Sequence, residues 1–86
     1  MYKVAVLMAT YNGERYVLEQ INSILSQLDA DDELVISDDC SSDTTLRITK
    51  NINDSRIVLL EGKKFGSPTF NMENALKNAK GDIIIM

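Results

Sequence analysis

Two adjacent carboxylates, Asp38 and Asp39, directly follow the strand-like run Glu33-Leu34-Val35-Ile36-Ser37, and Cys40-Ser41-Ser42-Asp43 continues the segment. Ionised neighbours at the end of an apolar strand repel each other and lose hydration, so something must offset that cost. Backbone N–H groups at the start of the next helix, the Ser41 and Ser42 hydroxyls, a ligand N–H or a cation would each serve. The plainer alternative has Asp38 bonded to its own loop, Asp39 solvated, and Ser41, Ser42 and Asp43 as turn and capping residues. Tyr11 follows another apolar run and precedes the turn Asn12-Gly13. A ring placed there can stack on a nucleobase, a contact of about 1–3 kcal/mol; the competing reading is a tyrosine of the rim or the core. Thr10 offers a hydroxyl beside it or merely ends the strand. Lys63 and Lys64 could approach a phosphate or form a solvated loop tip.

Other chemistries are excluded. The chain has no histidine and one cysteine, Cys40. Ser-His-Asp, Cys-His and His-based zinc sites therefore have no members here, and no internal disulfide can form. A single unpaired thiol suits a reducing, cytoplasmic setting. The net charge of −4 disfavours nucleic acid as a partner, because such binders present a basic face. Neither glycine-rich phosphate loop occurs, so a nucleotide bound by this fold would have its diphosphate held through a metal. No apolar run reaches membrane-spanning length.

The elements that must carry these residues alternate. Val4–Met8 reads as a strand buried on both faces. From Glu14 the apolar period lengthens, with Val17, Ile21, Ile24 and Leu28 on one helix face and Leu18 and Leu25 alongside. Glu33–Ser37 is a second strand. A second helix, capped by Ser42 or Asp43, turns Leu46 and Ile48 inward and ends near Asn53. Arg56–Leu60 is a third strand. Ser67-Pro68 opens a third helix that carries Met72, Ala75, Leu76 and Ala79 inward and stops at Gly81. Phe65, Phe70 and Met72 read as packing residues, and Cys40 as a small loop residue. Ile83–Met86 begins a fourth strand. The expected fold is α/β, a three-layer Rossmann-like β-α-β-α-β-α-β arrangement with a parallel sheet. Ligands of such sheets bind beyond the carboxyl ends of the strands, where Thr10-Tyr11 and Asp38-Asp39 lie side by side. An Ile-rich strand at the chain end suggests one incomplete domain over 1–86, with apolar surface left uncovered and self-association as an accompanying expectation.

Three segments taken together resemble the beginning of a family 2 glycosyltransferase. They are Met8-Ala9-Thr10-Tyr11-Asn12-Gly13-Glu14, then Gln20-Ile21-Asn22-Ser23-Ile24-Leu25-Ser26-Gln27, then Val35-Ile36-Ser37-Asp38-Asp39-Cys40-Ser41-Ser42-Asp43. Phe70-Asn71 and Ala79-Lys80-Gly81-Asp82-Ile83-Ile84 continue the likeness, which covers essentially the whole chain. The wording is nearest to bacterial members that build surface polysaccharides, rhamnosyltransferases among them. The resemblance implies the N-terminal part of a GT-A fold and an inverting transfer from a nucleotide-diphospho-sugar, UDP- or dTDP-linked, to a saccharide or lipid-linked saccharide acceptor. By the same likeness Ala9, Thr10, Tyr11, Asp38 and Asp39 form the nucleotide pocket. Tyr11 would stack on the pyrimidine, Asp39 would accept the base N–H, Ala9 would give backbone contacts, and Asp38 would mainly support the loop. The resemblance also implies a divalent cation, Mg or Mn, in the full-length enzyme. Its ligands and the catalytic base are expected outside this stretch, so the 86 residues alone should be inactive. A cytoplasmic protein, peripheral at the inner membrane face, is the implied location. The Arg-Asn pair common in the third helix of many members is absent, and Phe70-Asn71 or Met72-Glu73 stands there.

Two other readings compete. A receiver-like signalling domain also places paired acids at a strand end to hold magnesium, but it needs an aspartate after the third strand, where Glu61-Gly62-Lys63 stands. A non-catalytic binding module is the other.

Overall fold

A computed structural model describes the backbone over residues 3–85 and the side chains over residues 3–82. The elements are β1 (Val4–Thr10), α1 (Val17–Leu25), β2 (Glu33–Asp38), α2 (Thr45–Asn51), β3 (Ile57–Leu60), α3 (Pro68–Asn78) and β4 (Asp82–Ile85). The four strands are parallel and lie in the order β3-β2-β1-β4. The chain steps outward from β1 to β3, then crosses back to β4 on the far side of β1. With right-handed crossovers, that reversal puts α3 on the opposite face from α1 and α2. The three-layer expectation is met.

Alternation along the strands sorts the core into two halves. Val6, Met8, Leu34 and Ile36 face α1, whose Val17, Ile21, Ile24 and Leu25 close the larger half. Leu7 and Val35 face α3, which offers the small Ala75 with Met72 and Ala79 beside it. Small residues let this helix lie close to the sheet. Met86, the last residue of the expected fourth strand, lies outside the described residues.

Several expectations need correction. Helix α1 starts at Val17 rather than Glu14, because residues 14–16 form a turn closed by Tyr16 and Val17 N–H groups on the Gly13 carbonyl. Leu18 projects off the apolar stripe and is exposed. On α2 the inward positions belong to Thr45 and Thr49, with Ile48 packed on the larger core and Leu46 outside it. The Thr49 hydroxyl donates to the Thr45 carbonyl at 2.9 Å and the Thr45 hydroxyl accepts the Gly13 N–H at 2.8 Å, so both threonines are satisfied where they are buried. Leu76 and Phe70 are exposed, while Ala75, Met72 and Ala79 turn inward as expected and Asn71, four residues before Ala75, is buried with them. Ser67 stands at the α3 N-cap as expected but makes no side-chain capping bond.

Candidate functional site

Strands β1 and β2 run two residues further than their apolar cores, so Thr10 and Asp38 are register partners at the edge of the sheet. Asp38 is therefore the last strand residue and not part of a loop. It is 1% exposed and fully engaged. Its Oδ1 accepts the Thr10 hydroxyl at 2.7 Å and the Ser41 hydroxyl at 2.6 Å, and its Oδ2 accepts the Ser41 N–H at 2.8 Å. Three donors from the protein thus fill this carboxylate. Cys40 takes a positive φ of 53°, which lets the chain fold back so that Ser41 can reach Asp38.

Asp39 points elsewhere. Its N–H donates to the Thr10 carbonyl at 2.9 Å. Its Oδ1 accepts the backbone N–H of Phe65 at 2.5 Å and that of Gly66 at 3.2 Å. The β3–α3 loop is thereby clamped to the end of β2, with Gly62 and Gly66 at φ 92° and 67° supplying the left-handed turns it needs. Among the described residues, no hydrogen bond engages Asp39 Oδ2. The plain alternative of a solvated Asp39 does not describe a residue 7% exposed.

A cavity of about 430 Å³ opens at this edge, lined by Ala9, Thr10, Tyr11, Tyr16, Asp39 and Asn71, with Lys64 and the start of α3 at its border. Four of the five residues singled out from sequence thus meet around one opening. Asp38 does not line it and faces a second cavity of about 330 Å³ beside Leu60, Lys63 and Asn74. The Thr10 hydroxyl is committed to Asp38, and the Thr10 carbonyl accepts both the Asp39 N–H and the Asn71 amide. Tyr11 is 59% exposed, a ring available at the rim.

Tyr16 carried no signal as a wall residue, and Asn71 stood out only within Phe70-Asn71, where the family's Arg-Asn pair is replaced. Tyr16 follows the Asn12-Gly13 turn, and its ring packs against Gly13. Asn71 is 2% exposed and donates Nδ2 to the Thr10 carbonyl at 3.2 Å. A polar residue on the small-residue face of α3 was the signal that could have singled it out.

The loop after β1 is sewn to the loop after β2. The Asn12 and Gly13 N–H groups donate to Ser41 Oγ at 2.9 Å and Thr45 Oγ1 at 2.8 Å. In return, Ser42 N–H donates to Asn12 Oδ1 at 2.8 Å, and Thr44 donates its N–H and hydroxyl to Glu14 Oε2 at 3.0 and 2.6 Å. The Thr44 bonds hold the Glu14 carboxyl below the usual range. Asp43 accepts the Thr45 N–H and hydroxyl, and these bonds outweigh partial desolvation to lower its pKa. Ser41 and Ser42 are thus turn residues that join the two loops, and the N-cap position of α2 falls to Thr44 rather than to Ser42 or Asp43, with Asp43 accepting the first helical N–H from just outside.

No group of three or more Cys, Asp or Glu side chains among the described residues could hold a metal ion. Asp38 has its oxygens filled by protein donors, and one oxygen of Asp39 is taken by two N–H groups. These acids do not fit a cation site.

The sequence profile of Glycosyl transferase family 2 matches residues 5–86. The chain belongs to glycosyl transferase family 2. That membership removes the receiver-like reading. The chain is 40% identical over 75 residues to the dTDP-rhamnosyl transferase RfbG of Shigella flexneri, covering 83% of this chain and 26% of RfbG. It is 37% identical over 83 residues to the Escherichia coli glucosyltransferase WfgD, whose name gives UDP-Glc and a diphosphoundecaprenol-linked GlcNAc, covering 96% of this chain and 33% of WfgD. The structure of S. aureus TarS 1-349 in complex with UDP superposes with a TM-score of 0.84 at 33% identity, over 98% of this chain and 26% of that one. The chain therefore spans about a third or less of the length of the family 2 relatives it matches. The α/β layers and strand order agree with the GT-A expectation.

Proposed function

We propose that this chain forms the nucleotide-binding part of a bacterial glycosyltransferase that uses a UDP- or dTDP-sugar. One observation carries the reading. Asp39 has one carboxylate oxygen locked by two backbone N–H groups and the other without a hydrogen-bond partner among the described residues, at a cavity whose rim carries Tyr11. A carboxylate so fixed suits a base that offers one imide N–H, while the tyrosine ring supports the base plane. Ala9 and Thr10 shape the floor, and Asp38 holds Thr10 and Ser41 in place.

The transfer itself, with inversion at the sugar, belongs to a protein of the relatives' length. There a divalent cation would neutralise the leaving diphosphate. Its ligands and the base that activates the acceptor hydroxyl are proposed to lie outside this chain, which alone is inactive. The acceptor is proposed to be a saccharide or lipid-linked saccharide, met at the cytoplasmic face of the inner membrane. Among the described residues no helix is long and apolar enough to cross that membrane.

Titration with UDP or dTDP, followed by amide resonances, tests the pocket. Residues Tyr11 and Asp39 should move together on binding. If both stay in place while nucleotide is bound elsewhere, the pocket is misassigned.

A further inference from the structure

The Asn71 side chain is the one buried polar group among the described residues left with an unpaired atom. Its Nδ2 faces the Thr10 carbonyl at 3.2 Å, and only the amide NH₂ can face a carbonyl, so the amide orientation is fixed. The remaining atom, Oδ1, is an acceptor that no donor among the described residues reaches. An unfilled buried acceptor is costly, and native proteins leave few of them without a reason. Asn71 lines the cavity together with Thr10, Tyr11 and Asp39.

We infer that Asn71 is a further nucleotide-binding residue, whose Oδ1 accepts a hydrogen bond from an N–H or O–H of the bound nucleoside. This rests on the nucleotide reading above and adds a second acceptor to it. The cavity then presents two acceptors, Asp39 Oδ2 and Asn71 Oδ1. Uridine offers three donors in return, the imide N–H and the 2′ and 3′ hydroxyls. Anionic phosphate offers Oδ1 nothing, so the contact belongs to the nucleoside. The same amide also grips the carbonyl that accepts the Asp39 N–H at 2.9 Å, so Asn71 and Asp39 are set relative to each other through one atom of Thr10.

The experiment compares the full chain with its Asn71→Leu variant by calorimetry, using UDP, 3-methyl-UDP, 2′-deoxy-UDP and 3′-deoxy-UDP. Loss of one neutral hydrogen bond should weaken UDP about fivefold to tenfold. The ratio of the two affinities should fall to near one for the analogue that lacks the partner donor and persist for the others. That pattern names the donor. A ratio unchanged across all four ligands means that Asn71 acts only through Thr10, and overturns the inference. If Asp39→Asn weakens UDP and Asn71→Leu does not, the inference fails and the nucleotide reading stands. If the unaltered chain binds none of the four, both fail. A readout on the unaltered chain guards against a misfolded variant. The Asn71 side-chain nitrogen should shift downfield with UDP and not with the analogue lacking the partner, and no shift with bound UDP counts against the inference.

Discussion

The Oδ1 atom of Asp39 accepts the backbone N–H of Phe65 at 2.5 Å, although the two residues are 26 positions apart. This contact joins the end of β2 to the loop that leads into α3. It converts a side chain that sequence presents as a ligand contact into a structural clamp as well. The two roles use different oxygens and so can be separated by substitution.

Asp39→Asn should keep the clamp, since its carbonyl oxygen can still accept the Phe65 N–H. It presents an NH₂ where an acceptor is needed, so UDP affinity should fall on the order of tenfold to a hundredfold. Asp39→Ala should lose both. Amide exchange at Phe65 and Gly66 should then quicken by at least about tenfold in the absence of nucleotide, and not in Asp39→Asn. Calorimetry and hydrogen exchange on the two variants check this.

Asp38→Ala should destabilise the fold and not merely the site. The Thr10 hydroxyl and both Ser41 donors would lose their shared acceptor in a location that is 1% exposed. We expect a loss of about 3–5 kcal/mol, read by urea denaturation, a large part of the stability of a small domain.

Much of this was legible in the sequence. The alternation of elements, the parallel sheet and the meeting of Thr10-Tyr11 with Asp39 followed from apolar period and from where strands end. What escaped depends on partners distant in sequence. Nothing near Asp39 announces Phe65 and Gly66 as its donors, because backbone N–H groups carry no residue signature. Leu46 and Leu76 have apolar side chains at plausible helical spacing, yet short helices on a four-stranded sheet have narrow buried faces, and Thr45 and Asn71 occupy them. Asp38, which the family likeness casts mainly as a support for its loop, has that support supplied by three donors from Thr10 and Ser41, and the Thr10 partner across the sheet is the part that the local sequence does not announce.

Acid should weaken the fold through carboxylates far from the cavity. The Arg56 side chain, bonded to Asp54 and then its N–H, holds the Asp54 carboxyl at about 2, down from the ordinary 3.8. The N–H groups of Asp29 and Val4 lower Asp32. A depressed folded pKa contributes stability that is complete above the ordinary value and fades as pH falls toward the lowered one. Asp54→Ala should therefore be less stable than the unaltered chain at neutral pH. The gap should narrow between about pH 4 and pH 2 in denaturation series.

Gly81→Ala should loosen the junction of β1 with β4. A Cβ there would sit 2.7 Å from the Lys3 carbonyl oxygen and 3.1 Å from the Val4 carbonyl carbon, both backbone atoms that cannot swing aside. We expect a cost of about 1–3 kcal/mol and a lower melting temperature by circular dichroism.

The unequal division of the core has an evolutionary consequence. Packing strength resides mainly on the α1 and α2 face, while the α3 face is thin, built from small residues, and borders the cavity. Substitutions in α3 and in the loop before it can therefore change what is recognised while the larger half keeps the chain folded. Related proteins with different donors should accordingly diverge most between Gly62 and Asn74, and least along β1 and β2.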